Sequence, residues 1–147
     1  DTMNLWINNN KRELMQVLKH VNLLFINEEE ALSLTGTLNI NDAATKLLVC
    51  GPDSIIIKRG SYGATYISQH ATLSIGICRG VDVVDPTGAG DAFAGGFLGS
   101  LIRNGEDIET ALGYGTAAAG LAIGCLGAQG LGNISINDIE RLRDTIK

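Results

Sequence analysis

Seven consecutive residues, Asp85-Pro86-Thr87-Gly88-Ala89-Gly90-Asp91, have the types and spacing best suited to chemistry in this chain. Glycines at 88 and 90 permit a sharp turn and let a ligand approach the backbone closely. The apolar, glycine-rich stretch that follows predicts a long helix from about Gly90 to Arg103, so the turn lies at a helix start. Unpaired amides and the positive end of the helix dipole favour an anion there. A phosphoryl group in transfer, with its charge spread over several oxygens, suits such a site. Asp91 could then accept the proton of an attacking hydroxyl while the amides at Gly88, Ala89 and Gly90 hold the phosphoryl group. A plainer account makes Asp91 a helix cap and the glycines a turn. Each residue alone fits that account; the combination of strand, glycine turn, Asp and glycine-rich helix is rarer than its parts.

Two further clusters invite attention. Asn27 stands where a helix cap belongs and is followed by Glu28, Glu29 and Glu30, carboxylates that suit a helix start whether or not they bind anything. Lys58-Arg59-Gly60-Ser61-Tyr62-Gly63 reads as a turn at a strand end, with Lys58 able to reach an anion or simply to sit in solvent. Two familiar nucleotide signatures fail. No Gly-Lys-Ser/Thr occurs, so there is no Walker A loop. Gly113-Tyr114-Gly115-Thr116-Ala117-Ala118 matches a dinucleotide fingerprint, but it falls within a predicted helix with no strand before it, which reads as close packing.

The elements that must position these residues alternate in type. Helices are predicted over Lys11–His20, from Glu28 to about Thr35-Gly36, over Asn41–Cys50 with Asn41 or Asp42 as cap, from about Glu106 to Gly124, and after Ser135 or Asn137. Strands are predicted over Val21–Ile26, Ser54–Lys58, Ala64–Ser68, Leu73–Cys78 and, feeding the Asp85 turn, Val81–Val84. The alternation implies a layered α/β fold with a mostly parallel sheet flanked by helices. With no repeat or linker in view, residues 1–147 read as a single unit.

Bulk properties narrow the function classes. Hydrophobic residues make up 45% of the 147, enough for a real core. A net charge of -5 argues against a general nucleic-acid binder. It does not argue against a small anion held by backbone amides. Three widely spaced cysteines and two histidines offer no zinc or disulfide framework, which points to a reducing compartment. No apolar run approaches the ~18 residues of a membrane span and no signal segment opens the chain, so a cytoplasmic location is expected. The opening Asp1-Thr2-Met3 reads like the middle of something longer.

The segment Asp85–Phe97, DPTGAGDAFAGGF, resembles the second signature of the ribokinase-like (PfkB) carbohydrate and nucleoside kinases. Pro86 stands at a position that varies in that family. The resemblance implies that Gly88, Ala89 and Gly90 form an anion hole, that Asp91 is the catalytic base, and that Thr87 lies among the nucleotide contacts. Asn27 and Glu30 match the family's N-x-x-E motif, which implies a role for Glu30 beside Mg²⁺ and the phosphates. Lys58, Gly60 and Gly63 fall on the family's nucleotide-side turn, and the late helix Ala111 to Leu126, followed by Gly127-Ala128, on the segment covering one side of the adenine. The resemblance further implies ATP and Mg²⁺ as cofactors, a sugar or nucleoside acceptor, and in some members a monovalent cation near Asp85. It covers essentially the whole chain but about half of a family member, the C-terminal half, leaving an incomplete ribokinase-like fold. The half not represented would supply most acceptor contacts, the lid and any homodimer surface. Other readings stand beside the kinase: a non-catalytic nucleotide-binding module, a fragment inactive on its own, or a structural α/β domain with no ligand.

Overall fold

The computed structural model describes residues 1–105, 107–127, 132 and 134–147. It divides into two compact units, one of Asp1–Gly60 with Ala64–Ser74, the other of Ser61–Gly63 with Ile75–Lys147.

In the first unit the order is α1 (Asn4–Asn9), α2 (Lys11–Leu18), β1 (Leu23–Asn27), α3 (Glu28–Thr35), α4 (Ile40–Val49), β2 (Ser54–Lys58), β3 (Ala64–Ser68) and β4 (Thr72–Ile75). The strands lie in the order β1-β2-β3-β4. β1 and β2 run parallel, with Leu23 opposite Ser54 and Asn27 opposite Lys58, whereas β3 returns antiparallel to β2. The sheet in this chain is therefore mixed rather than mostly parallel, because the tight Gly60–Gly63 turn can only reverse the chain. The three central residues of both β1 and β2 are buried, as their unbroken apolar runs require. Leu24, Ile26, Ile55 and Ile57 share a core with Leu18, Ala31, Leu34, Ala43, Ala44 and Leu47. Each buried aliphatic side chain of this size stabilises the fold by about 1.5–3 kcal/mol.

Helix ends follow local chemistry. α3 stops at Gly36, in the left-handed region, whose N–H donates to Leu32 O. α4 is capped by Asn39, whose side chain accepts from the amides of Asn41 and Asp42. The cap thus lies two or three residues before the expected one. α1 was not anticipated: its cap, Met3, offers no side-chain hydrogen bond, and Leu5 and Trp6 are exposed.

Among the described residues, the second unit contains the helices α5 (Ala89–Asn104), α6 (Ile108–Ile123) and α7 (Ile136–Arg143). A Cβ on Gly96 would lie 2.7 Å from Tyr114 O, and one on Gly115 would lie 2.9 Å from Phe93 O. Glycine is thus what lets the α5 and α6 backbones touch. The apparent dinucleotide fingerprint is this packing surface, as its helical context implied. Asp107 caps α6, and Ser135 caps α7 in a reciprocal capping box with Asp138.

The expected strand over Val81–Val84 is not formed. Val83 and Val84 are largely exposed, and the amides of Val84 and Asp85 both donate to Ile123 O at the end of α6. A strand needs a neighbouring ladder for its amides, and here a helix carbonyl takes the last of them, that of Val84, together with that of Asp85 just beyond. The three cysteines are free; Cys78 is buried, as a small apolar residue would be, and burial raises its thiol pKa above the usual range. Among the described residues, no helix is long and apolar enough to cross a membrane.

Candidate functional site

In the first unit the candidate residues gather where the parallel pair ends. Asn27 and Lys58, the last residues of β1 and β2, are register partners, so both point the chain out of the same edge. Ligands of α/β sheets bind beyond the carboxyl ends of parallel strands. Asn27 closes α3 with a capping box: its Oδ1 accepts the Glu30 amide at 2.8 Å, and Glu30 Oε2 accepts the Asn27 amide at 3.2 Å. The same Glu30 oxygen accepts the Thr2 hydroxyl at 3.0 Å. Glu30 is only 5% exposed, an unusual place for a carboxylate. Two donors and the positive end of α3 offset its burial, while Oε1 has no partner among the described residues. Lys58 pairs with Asp1 at 2.6 Å and Arg59 with Glu28 at 3.1 Å. Gly60 follows in the left-handed region (φ 54°) with open space where a side chain would project, so its backbone is accessible.

In the second unit the Asp85–Asp91 turn is held from one end and open at the other. Asp85 Oδ1 accepts the Thr87 amide at 2.9 Å, and Oδ2 accepts the Gly127 amide at 3.2 Å. The Thr87 amide bond, more than any other contact, pulls the Asp85 carboxyl below its usual range. The turn is thereby tied to the chain just after α6. Gly88 caps α5 at φ 80° with no side-chain hydrogen bond and nothing within 4 Å of an added Cβ. The first-turn amides therefore have neither a helical acceptor nor a capping side chain. One is partly used: Ala89 donates to Pro86 O at 3.2 Å. Asp91 lies in this first turn, exposed, and its carboxylate makes no hydrogen bond or ion pair among the described residues. Its side chain does not cap the helix.

The structure thus brings Asn27, Glu30 and Lys58 together, with Gly60 two residues beyond Lys58. Separately, it brings Thr87, Gly88, Ala89, Gly90, Asp91 and Gly127 together. Gly63 differs in kind. A Cβ there would lie 1.9 Å from Ile75 O at φ 81°, so packing and turn geometry already account for its glycine. Ala128 lies outside the described residues, so the expected adenine segment is represented by 111–127, most of it in α6. Sequence reasoning missed Asp1 and Thr2, which lie far from their partners in the chain and carry no local signal. It also passed over the structural role of Asp85, although Asp followed by Thr87 is a pattern for a side chain that bonds the backbone two residues on.

A metal or nucleotide can be tested against these residues. Among the described residues, no three His, Cys, Asp or Glu side chains could cage a metal ion. Mg²⁺ keeps several waters and borrows phosphate oxygens, and the unclaimed Oε1 of Glu30 fits an acceptor for such a water. The bare first turn of α5 fits a phosphate.

Comparison with known proteins gives a consistent result. A family model described as pfkB family carbohydrate kinase matches residues 3–134. A nucleoside kinase from Methanocaldococcus jannaschii is 31% identical over 81% of this chain and 38% of its own length. A ribokinase from Bacillus subtilis is 35% identical over 86% of this chain and 41% of its own length. Among solved structures, a candidate ribokinase II from Escherichia coli in complex with ATP and Mg²⁺ superposes with a TM-score of 0.80 at 30% identity. The match covers 91% of this chain and 42% of that one. The chain spans about two fifths of the length of the curated relatives it matches.

Proposed function

Because this chain belongs to the PfkB family of carbohydrate kinases, we propose that it is the nucleotide-binding half of a small-molecule kinase. The reaction is phosphoryl transfer from ATP to a hydroxyl of a sugar or nucleoside, and the open first turn of α5 is the observation that carries this reading. In that reaction the acceptor oxygen bonds to the γ-phosphorus as the bond from that phosphorus to the β–γ bridging oxygen breaks, and ADP departs. Asp91, exposed and unpaired, takes the hydroxyl proton. The amides of Gly88, Gly90 and Asp91 face the charge that develops on the phosphoryl oxygens, with Ala89 contributing less because Pro86 O already engages it. Thr87 and Gly127 hold the turn in shape through Asp85. Lys58 and Gly60, at the β2 end, are proposed nucleotide contacts on their resemblance to the family's strand-end turn. Mg²⁺, when bound, would neutralise phosphate charge, and the free oxygen of Glu30 would accept a hydrogen bond from one of its waters. Asp85 keeps lone pairs beyond its two amide bonds, which leaves room for a monovalent cation beside the turn.

The relatives act on different acceptors by name, one a nucleoside kinase and one a ribokinase. The acceptor class is therefore proposed no more finely than a sugar or nucleoside hydroxyl. The test is an assay of the complete protein with ATP and Mg²⁺ against a panel of pentoses, hexoses and nucleosides, read as acceptor-dependent ADP and phosphorylated product. Acceptor-dependent turnover is expected. ATP-analogue binding with no transfer to any acceptor would favour the non-catalytic module instead.

A further inference from the structure

Glu30 is a carboxylate with one oxygen committed and one free, and what commits it is largely a residue at the other end of the unit. The hydroxyl of Thr2 donates to Glu30 Oε2 at 3.0 Å, shorter than the 3.2 Å bond from the Asn27 amide to the same oxygen. A single long bond leaves a carboxylate free to swing about its last torsion; two donors converging on one oxygen fix the plane and fix where the other oxygen points. One residue upstream, the Asp1 carboxylate pairs with Lys58 at 2.6 Å, with side-chain exposures of 30% and 16% for the two partners. That pair pins the Asp1–Thr2 segment across the ends of β1 and β2. Removing the hydroxyl would leave a group that is only 5% exposed with one donor in place of two, and buried carboxylates turn readily towards whatever donor remains.

We infer that Thr2 is a positioning residue that orients Glu30 so that its Oε1 faces a hydrated divalent cation. The inference rests on the proposed role of Glu30. Thr2 itself touches neither nucleotide nor metal; it acts through the carboxylate, as outer partners of metal-binding groups commonly do.

The test uses the complete protein with three substitutions, Thr2→Val, Thr2→Ser and Glu30→Gln. Each is titrated calorimetrically with Mg²⁺ in the presence of a non-hydrolysable ATP analogue, and each is assayed for turnover across Mg²⁺ concentrations. Thr2→Val is expected to raise the Mg²⁺ needed for half-saturation roughly tenfold in both measurements. Its kcat at saturating Mg²⁺ should stay within about twofold of the parent, and Thr2→Ser should restore the parent value because it keeps the donor. Should valine disturb the segment, Thr2→Ala removes the same hydroxyl without adding bulk and carries the same expectation. Unchanged Mg²⁺ dependence in Thr2→Val or Thr2→Ala, alongside a raised requirement in Glu30→Gln, overturns the inference and leaves the kinase reading intact. An unchanged requirement in Glu30→Gln removes the role of Glu30 and the inference with it. A parent protein with neither transfer nor Mg²⁺-dependent nucleotide binding fails at the level of the kinase reading instead.

Discussion

At the start of α3 the Asn27 side chain accepts a first-turn amide, Glu30 reaches back to the Asn27 backbone, and the carboxylate that does so is buried. At the start of α5 the corresponding position is Gly88, which has no side chain to offer, and the first-turn carboxylate, Asp91, stands in solvent without a partner. Both helices begin with the same physical problem, amides that no preceding carbonyl can satisfy. The first solves it internally and gains stability. The second leaves it unsolved: it keeps a sharp left-handed turn that only glycine adopts without strain, and its carboxylate has no partner among the described residues. Among the same residues, the first start keeps one unclaimed oxygen, Glu30 Oε1, beside a satisfied cap; the second leaves its whole first turn without a capping side chain.

The comparison can be broken most readily by substitutions whose cost differs between the two starts. Glu30→Ala should be the most damaging to stability, by about 2 kcal/mol, because it strips the charged acceptor from the Asn27 amide and the Thr2 hydroxyl at once. Chemical denaturation of the substituted protein measures it, and a loss near zero would mean that the capping box carries little. Gly88→Ala should cost less, about 1–2 kcal/mol. It meets no neighbour, and the penalty is only that of a Cβ at φ 80°. Its larger effect should be on nucleotide affinity, measured by calorimetry, since the added Cβ enters the space a phosphate would occupy.

A smaller effect concerns pH. Asp85 is held below its ordinary pKa by the Thr87 amide and, to a lesser degree, by the Gly127 amide. A carboxyl with a depressed folded-state pKa contributes stability that is complete above its unfolded value near about 4 and is lost as pH falls through the lower folded value. The amide resonances of Thr87 and Gly127 should therefore hold steady from neutral pH down to about 4 and shift together below it. Asp107 and Asp138 are depressed in the same direction by their helix caps, so the Asp85 contribution is read as the difference between the parent and Asp85→Asn. Coincident acid limbs for the two proteins would show that the turn does not depend on this tie.

Much of the fold was legible because its signals are local. The SIIIK run and its return strand announce themselves by β-branched content and flanking glycines, and both were found where expected. Ser135 and Gly36 mark a helix start and a helix end by cap chemistry alone. The failures share the opposite property. Val81–Val84 has strand composition, but a strand exists only if another strand pairs with it, and Ile123 O took the Val84 amide instead. α1 lacks a cap and any strong periodic pattern. The antiparallel return of Ala64–Ser68 was legible from the glycine-flanked turn before it, although the sheet as a whole was expected to be mostly parallel. The candidate site divides the same way. Gly88, Gly90 and Asp91 were readable from a single contiguous motif. The Thr2–Glu30 bond spans 28 residues, and the tie from Asp85 to Gly127 spans 42, so neither could be read from spacing.

The central claim is that Asp91 is left open for chemistry rather than for stability, and Asp91→Asn in the complete protein tests it most directly. The exchange should change unfolding free energy by under about 0.5 kcal/mol, since no contact is lost and only a small helix-dipole contribution is at stake. Nucleotide affinity should stay within about threefold, whereas single-turnover transfer to an accepted sugar or nucleoside should fall by roughly 10²–10⁴-fold. Transfer at the parent rate in a stably folded Asp91→Asn protein would contradict the account.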